Sequence, residues 1–182
     1  VLDQDGERIS IEDVTEDDRH VLGNGLPKQH AAWNNTFRYG DFGLDVNMRG
    51  AFRFQILNFQ RLYYENPKIT HYNMLRSVFD NVYGKRRLNY DLAYVSYYIE
   101  DGDYWKLDNV TLGYSFGQSL MRLFGPNLRD ARMYVSGRNL LTFTGYEGMD
   151  PEVPTNGLNP GTDHRDQFPT TRMFTLGLVV SF

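Results

Sequence analysis

The side chains of this chain that could do chemistry point to binding, and catalysis is not expected of them. There are no cysteines among the 182 residues, which removes disulfides, thiolate metal sites and thiol nucleophiles together. His20, His30, His71 and His164 are scattered with no pair at ligand spacing, so each reads as a surface or loop residue. No nucleophile elbow, paired-histidine zinc motif or phosphate loop occurs, and no enzyme activity is expected. One cluster could take a hard cation: Asp3, Asp5 and Glu7 surround Gly6, and clustered carboxylates with a turn-forming glycine suit calcium. Its register departs from a regular calcium loop, because Arg8 stands where an apolar residue belongs and Ile9 follows one place late. The alternatives are a calcium site and an acidic surface turn, and apart from that calcium no cofactor is expected.

Tyrosine is the second chemical signal. Tyr63, Tyr64, Tyr72, Tyr83, Tyr90, Tyr94, Tyr97 and Tyr98 crowd one stretch of the chain. Aromatic faces stack on sugar rings or pack on peptide side chains, and each hydroxyl adds a hydrogen-bonding handle. Tyr63, Tyr64, Tyr72, Tyr94 and Tyr97 are therefore candidate ligand contacts. The competing reading makes Tyr97, Tyr98, Tyr104 and Trp105 an aromatic girdle where a strand leaves a membrane.

The elements that must position these residues are strands. From Phe42 to Ile56 the even positions are Phe, Leu, Val, Met, Gly, Phe, Phe and Ile, while the odd ones include Asp45, Asn47, Arg49 and Arg53. Such period-two alternation predicts one strand with an apolar and a polar face, about 15 residues long where soluble strands run about 5–6. Four further segments alternate in the same way. Ala31, Trp33, Phe37 and Tyr39 share one face, and Val110, Leu112, Tyr114 and Phe116 another. Ala131, Met133 and Val135 make a weaker case, because Tyr134 on the opposite parity could face either way. The chain ends on Phe174, Leu176, Leu178, Val180 and Phe182. Five strands are predicted.

Their connections alternate in length. Tyr39-Gly40-Asp41 is a tight turn, about Leu57 to Asp103 a long excursion, Gly117 to Arg129 a moderate turn, and about Thr144 to Thr170 a second long loop. Within the first loop, Met74, Leu75, Val78, Phe79 and Val82 recur at helical spacing, with Gly84 as a stop. Long strands joined by short turns on one side and long loops on the other describe a transmembrane antiparallel β-barrel in a bacterial outer membrane. No apolar run reaches the roughly 18 residues of a spanning helix. Mean hydropathy is −0.53, but lipid-facing and lumen-facing residues average out along barrel strands. A soluble β-sandwich carbohydrate-binding module, with the same strands turned inward on a core, is the main alternative, and a passive porin-like barrel is another. The net charge of −4 and the isolated Lys85-Arg86-Arg87 run give no case for nucleic acid.

Three blocks resemble the SusC-like TonB-dependent transporters of Bacteroidota. The first is Asp3 to Gly6 followed by Asp17-Asp18-Arg19, Gly23-Asn24 and Pro27-Lys28. The second runs from Glu100 to Tyr114. The third joins Asn139-Leu140-Leu141-Thr142-Phe143-Thr144 to Tyr146, Gly148 and Asp150-Pro151-Glu152-Val153, and the ending Pro169 to Leu178 with Phe182 also fits. The resemblance implies that residues 1–182 are the C-terminal portion of a large plugged barrel, with the N-terminal plug and earlier strands outside this chain. It further implies import of oligosaccharides or peptides with a SusD-like surface lipoprotein, energy delivered by the TonB complex, and Phe182 as an assembly signal.

Overall fold

The computed structural model describes residues 13, 15–18, 20–69, 71–80, 94–117 and 128–182. Asp3, Asp5 and Glu7, the Lys85-Arg86-Arg87 run, Tyr83, Tyr90, Val82 and Gly84 lie outside the described residues. The chain divides into two compact units.

One unit takes Gln29–Phe52, Asp103–Gly145 and Pro169–Phe182 and is built from a single sheet. Its strands are β1 (Gln29–Tyr39), β2 (Phe42–Phe52), β5 (Tyr104–Ser115), β6 (Asp130–Thr144) and β8 (Met173–Ser181). They lie in the order β1-β2-β5-β6-β8, and every pairing is antiparallel. These are the five expected strands in chain order. Gly40, at φ 55°, lets the chain reverse between Tyr39 and Phe42, a conformation glycine takes without steric cost.

The register shows what alternation does in two dimensions. Phe37, Leu44, Leu112, Val135 and Leu176 are successive cross-strand partners, one from each strand. One step along, the partners are Thr36, Asp45, Thr111, Ser136 and Thr175. The first row is apolar throughout and the second polar throughout, so the sheet has one face of each kind. In the apolar row Phe37 is 51% exposed, Val135 46% and Leu176 74%. Inward-turned sandwich strands would bury that row, so the sandwich reading does not describe this sheet.

Two strands run further than alternation alone suggests. Asp108 is an extra residue on β5, because Asn47 pairs with Asn109 while Met48 pairs with Leu107. The bulge switches parity, so Trp105 and Leu107 join the apolar face of Val110 and Leu112 despite their odd numbers. On β6, Asn139 takes φ 53°, which asparagine tolerates better than most residues, and its Nδ2 donates to the Thr171 carbonyl at 3.0 Å. Beyond that irregularity Leu141 pairs with Leu107 and Phe143 with Trp105.

The other unit comprises the described parts of Val1–Lys28, Arg53–Gly102 and Tyr146–Phe168. Here the sequence reading is corrected. Phe42 to Ile56 is not one strand: β2 stops at Phe52, Arg53 adopts φ 62°, and a separate strand β3 (Gln55–Asn58) follows. A left-handed residue turns the chain out of the pleat, so Phe54 and Ile56 leave the apolar sheet face. They are 1% and 0% exposed in the core of this second unit. β3 pairs antiparallel with β4 (Ile99–Asp101) and parallel with β7 (Thr162–Asp163).

A six-residue helix, α1 (Phe59–Tyr64), follows β3. The Asn58 side chain accepts from Arg61 N at 3.0 Å to start it, and Glu65 N donates to Arg61 O to finish it. Over the described part of the helix expected across Met74 to Val82, the chain forms a 3-10 turn, Arg76–Phe79, that buries Val78. Met74, Leu75 and Phe79 stay exposed, and so short an apolar segment does not nucleate a longer helix on its own. No described helix is long and apolar enough to cross a membrane, which says nothing of strands.

Candidate functional site

Four of the five expected tyrosines come together in the loop-rich unit. Phe59 is the pivot, with Tyr63 tilted at 5.0 Å and Tyr94 stacked at 6.3 Å between ring centroids. His164 meets the same Phe59 ring edge-on. Arg165 lies over the Tyr63 ring at 3.9 Å and within 5.7 Å of Tyr72, which in turn meets Tyr64 edge-on. The order Tyr94, Phe59, Tyr63, Arg165, Tyr72, Tyr64 is thus a continuous aromatic array with one cation set into it. Tyr72 and Tyr94 are more than half exposed and offer ring surface to a solute. A hydrogen bond to Tyr72 heads the causes that raise the Arg165 pKa, so its charge is secure. The density of tyrosines pointed to this array, whereas Phe59, His164 and Arg165 have no local signal that joins them.

Tyr97 is not part of the array. It belongs to a polar knot around Arg61, whose Nη2 donates to the Tyr97 hydroxyl at 2.8 Å while the guanidinium sits 5.0 Å from its ring. Arg61 also bonds Glu65 at 2.8 Å, Glu100 at 2.7 Å and Glu147 at 2.9 Å. Ser77 donates to Glu65, Asn58 to Glu100, and the Glu147 backbone N to Glu100. Burial alone would lower the Arg61 pKa, but hydrogen bonds to Glu65 and Glu100 outweigh it and the net movement is upward. Burial, with the charge of Glu65, raises Tyr97. Nearby, the Tyr146 hydroxyl donates to Asp163 at 2.6 Å, and burial followed by that bond raises its pKa as well. One guanidinium therefore clamps three separated stretches of chain, residues 61–65, 97–100 and 147.

The girdle reading divides. Tyr98 is buried inside the loop-rich unit. Trp105 stays on the apolar sheet face, in register with Gly50 and Phe143 and stacked on Phe52 at 6.0 Å, whereas Tyr104 falls on the polar parity. Phe182 follows β8 with its ring exposed on the parity of Leu178 and Val180. Among the described residues no three His, Asp or Glu side chains are grouped to hold a metal ion.

The polar sheet face is the remaining functional surface. Thr36 donates to Asp45 at 2.6 Å, Arg49 pairs with Asp108 at 3.4 Å, and Asn109, Thr111 and Ser136 form a closed cycle of hydrogen bonds. Lys106 is buried there, with Nζ donating to Thr170 at 2.9 Å. A long antiparallel meander, apolar on one face and hydrogen-bonded polar on the other, is the wall of a transmembrane β-barrel.

Comparison with known proteins agrees. No family model matches the chain. It is 31% identical over 192 aligned positions to TonB-dependent receptor P3 of Formosa agariphila, covering 100% of this chain and 18% of that receptor. It is 34% identical over 86 positions to the TonB-dependent receptor SusC of Bacteroides thetaiotaomicron, covering 47% of this chain and 8% of SusC. Among solved structures, the RagAB peptide importer in its closed-closed state superposes with a TM-score of 0.81 at 20% identity, over 100% of this chain and 20% of the importer chain. The open-open state of the same importer gives 0.71. The chain belongs to the SusC-like TonB-dependent receptors and forms part of their barrel wall. It spans about a fifth of the length of the curated relatives it matches, 18% and 19% in two cases.

Proposed function

We propose that this chain is the C-terminal portion of a barrel that actively imports oligosaccharides or peptides across the bacterial outer membrane. The observation that carries the reading is the pair of cross-strand rows, Phe37 to Leu176 apolar and Thr36 to Thr175 polar. The first suits hydrocarbon and the second a hydrated solute path. A lumen wide enough for oligomers must stay blocked until a ligand is held. A plug encoded outside this chain, a SusD-like lipoprotein over the loops and energy from the TonB complex meet that need. Capture falls to the exposed array of Tyr63, Tyr64, Tyr72 and Tyr94. Support comes from SusC and from RagAB, which is described as a peptide importer.

Uptake of labelled oligosaccharides and peptides by cells carrying the full-length protein tests this. Uptake should vanish without TonB and fall when Tyr72 and Tyr94 are both changed to Ala. Uptake that persists without TonB would mean a passive pore. Phe182 is assigned to assembly: Phe182→Ala should leave unfolded chain in the periplasm although it refolds in detergent, and normal surface levels would sink that role.

A further inference from the structure

The aromatic array of the loop-rich unit draws its tyrosines from one long loop and its cation from another, and the backbone explains how they meet. β3 pairs in parallel with β7, Leu57 with Thr162 and Asn58 with Asp163. Parallel strands run in one direction, so the chain leaving each of them emerges at the same end of the pair. β3 continues into α1, which carries Phe59 and Tyr63, and β7 continues into His164 and Arg165.

The exit of β7 is well fixed. Leu57 N donates to the Gly161 carbonyl at 2.8 Å. Asp163 is buried and accepts from the Tyr146 hydroxyl at 2.6 Å and from Gln60 Nε2 at 3.4 Å, and Gln60 itself lies on α1. Gly161 takes φ 73° where the chain turns in, and a Cβ there would stand 2.4 Å from the Gly25 Cα, so glycine is required. The strand pairing and the Asp163 bonds therefore deliver the next two residues to the array.

His164 meets the Phe59 ring edge-on at 6.2 Å. The Arg165 guanidinium lies 3.9 Å from the Tyr63 centroid and 5.7 Å from that of Tyr72, both within reach of a cation–π attraction. It also hydrogen-bonds the Tyr72 side chain. Tyr63 is half-buried on α1, whereas Tyr72 is exposed on a stretch outside any helix or strand. One planar cation thus ties an irregular, exposed ring to a ring on a packed element. An exposed tyrosine on such a stretch has several rotamers open to it, and fixing it before a solute arrives lowers the entropic cost of binding.

We propose that Arg165 is the positioning residue of the capture array: it holds Tyr72 in order against Tyr63, and the solute meets the ordered rings and not the cation. The proposal rests on the capture role given to these tyrosines above and adds what keeps them in place. A guanidinium suits the task because its plane lies over one ring while its edge N–H groups reach a second side chain, which an ammonium does not match.

The test uses the full-length protein in cells and two probes, a tryptic digest of casein and a partial hydrolysate of mixed plant polysaccharides. Uptake is followed as the loss of individual oligomers from the medium over a series of concentrations. For the imported oligomers, Arg165→Gln should raise the half-saturating concentration about fivefold and leave the maximal rate unchanged. Arg165→Lys should recover part of the loss, since an ammonium still seats on a ring face. The deciding measurement is the same change made in a Tyr72→Ala background, where Arg165→Gln should add nothing further. A full additional loss there means that the guanidinium touches the solute itself, and positioning is overturned. An unchanged half-saturating concentration overturns it too. So does a loss of uptake that merely follows a fall in surface level or a rise in hydrogen exchange over residues 55–65, which would make Arg165 a structural residue. Uptake that is absent from cells with the native protein, or that persists without TonB, overturns the import reading itself, a result that no Arg165 variant can mimic.

Discussion

Arg61 shows how much of the loop-rich unit depends on single side chains. It sits on α1 with 14% of its side chain exposed and faces Glu65, Glu100 and Glu147. Glu65 itself is 2% exposed, so removing the guanidinium would leave an uncompensated buried carboxylate. Arg61→Ala is expected to destabilise this unit by about 3–4 kcal/mol, and Arg61→Lys to recover only part of that because an ammonium has no bidentate fork. Hydrogen exchange over residues 55–65 and 97–101 should rise in the Ala variant while the five long strands keep their protection. Strand amides that loosen equally would show the knot to be a global support. Most of this knot is invisible in the sequence. Arg61 and Glu65 carry an i,i+4 signal, but Glu100 and Glu147 lie far along the chain, and nothing local marks them as partners. The Tyr97 contact escapes the sequence for the same reason: its residue type suits ligand contact, and only the fold shows its hydroxyl accepting from Arg61.

At the scale of elements, alternation was readable wherever the pleat is regular. All five strands of the sheet follow from it, and the failures fall at backbone irregularities. The sequence stretch Leu107-Asp108-Asn109-Val110 breaks parity because Asp108 is bulged, and so β5 looked shorter than it is. Gly137 to Leu140 hides the second half of β6 because Asn139 is left-handed. The opposite error occurs at Arg53, where alternation continues in sequence while the backbone turns away. Parity therefore assigns a face only between such points, and the end of β8 lies in a clean stretch. There Leu178 pairs with Met133 in the apolar set, and Val179 pairs with Arg132 in the polar set. Leu178→Arg should destabilise the folded barrel in lipid by about 2–4 kcal/mol near the midplane and less toward the interface. Val179→Arg should cost much less. Folding titrations of both variants check this, and equal destabilisation would reject the assigned faces.

At the scale of the whole molecule, the sheet has two edges that a bilayer does not tolerate. Among the described residues, β1 pairs only with β2 and β8 only with β6. Backbone N–H and C=O groups facing hydrocarbon without partners cost several kcal/mol each, so an open edge of nine to eleven residues is far outside what packing offsets. Nor can five strands close on themselves, since membrane barrels begin at about eight. In a bilayer the outer edges of β1 and β8 are expected to be covered by strands beyond the described residues. The chain spans about a fifth of the relative it matches over its full length, and plugged barrels of this class run to about 22 strands. In the full-length protein in nanodiscs, amides along β1 and β8 should be protected to within about tenfold of those in β5, which is paired on both sides. Protection of β5 with fast exchange along either edge strand would mean that the sheet is flanked by something other than further strands, and the barrel-wall assignment of that edge would fall.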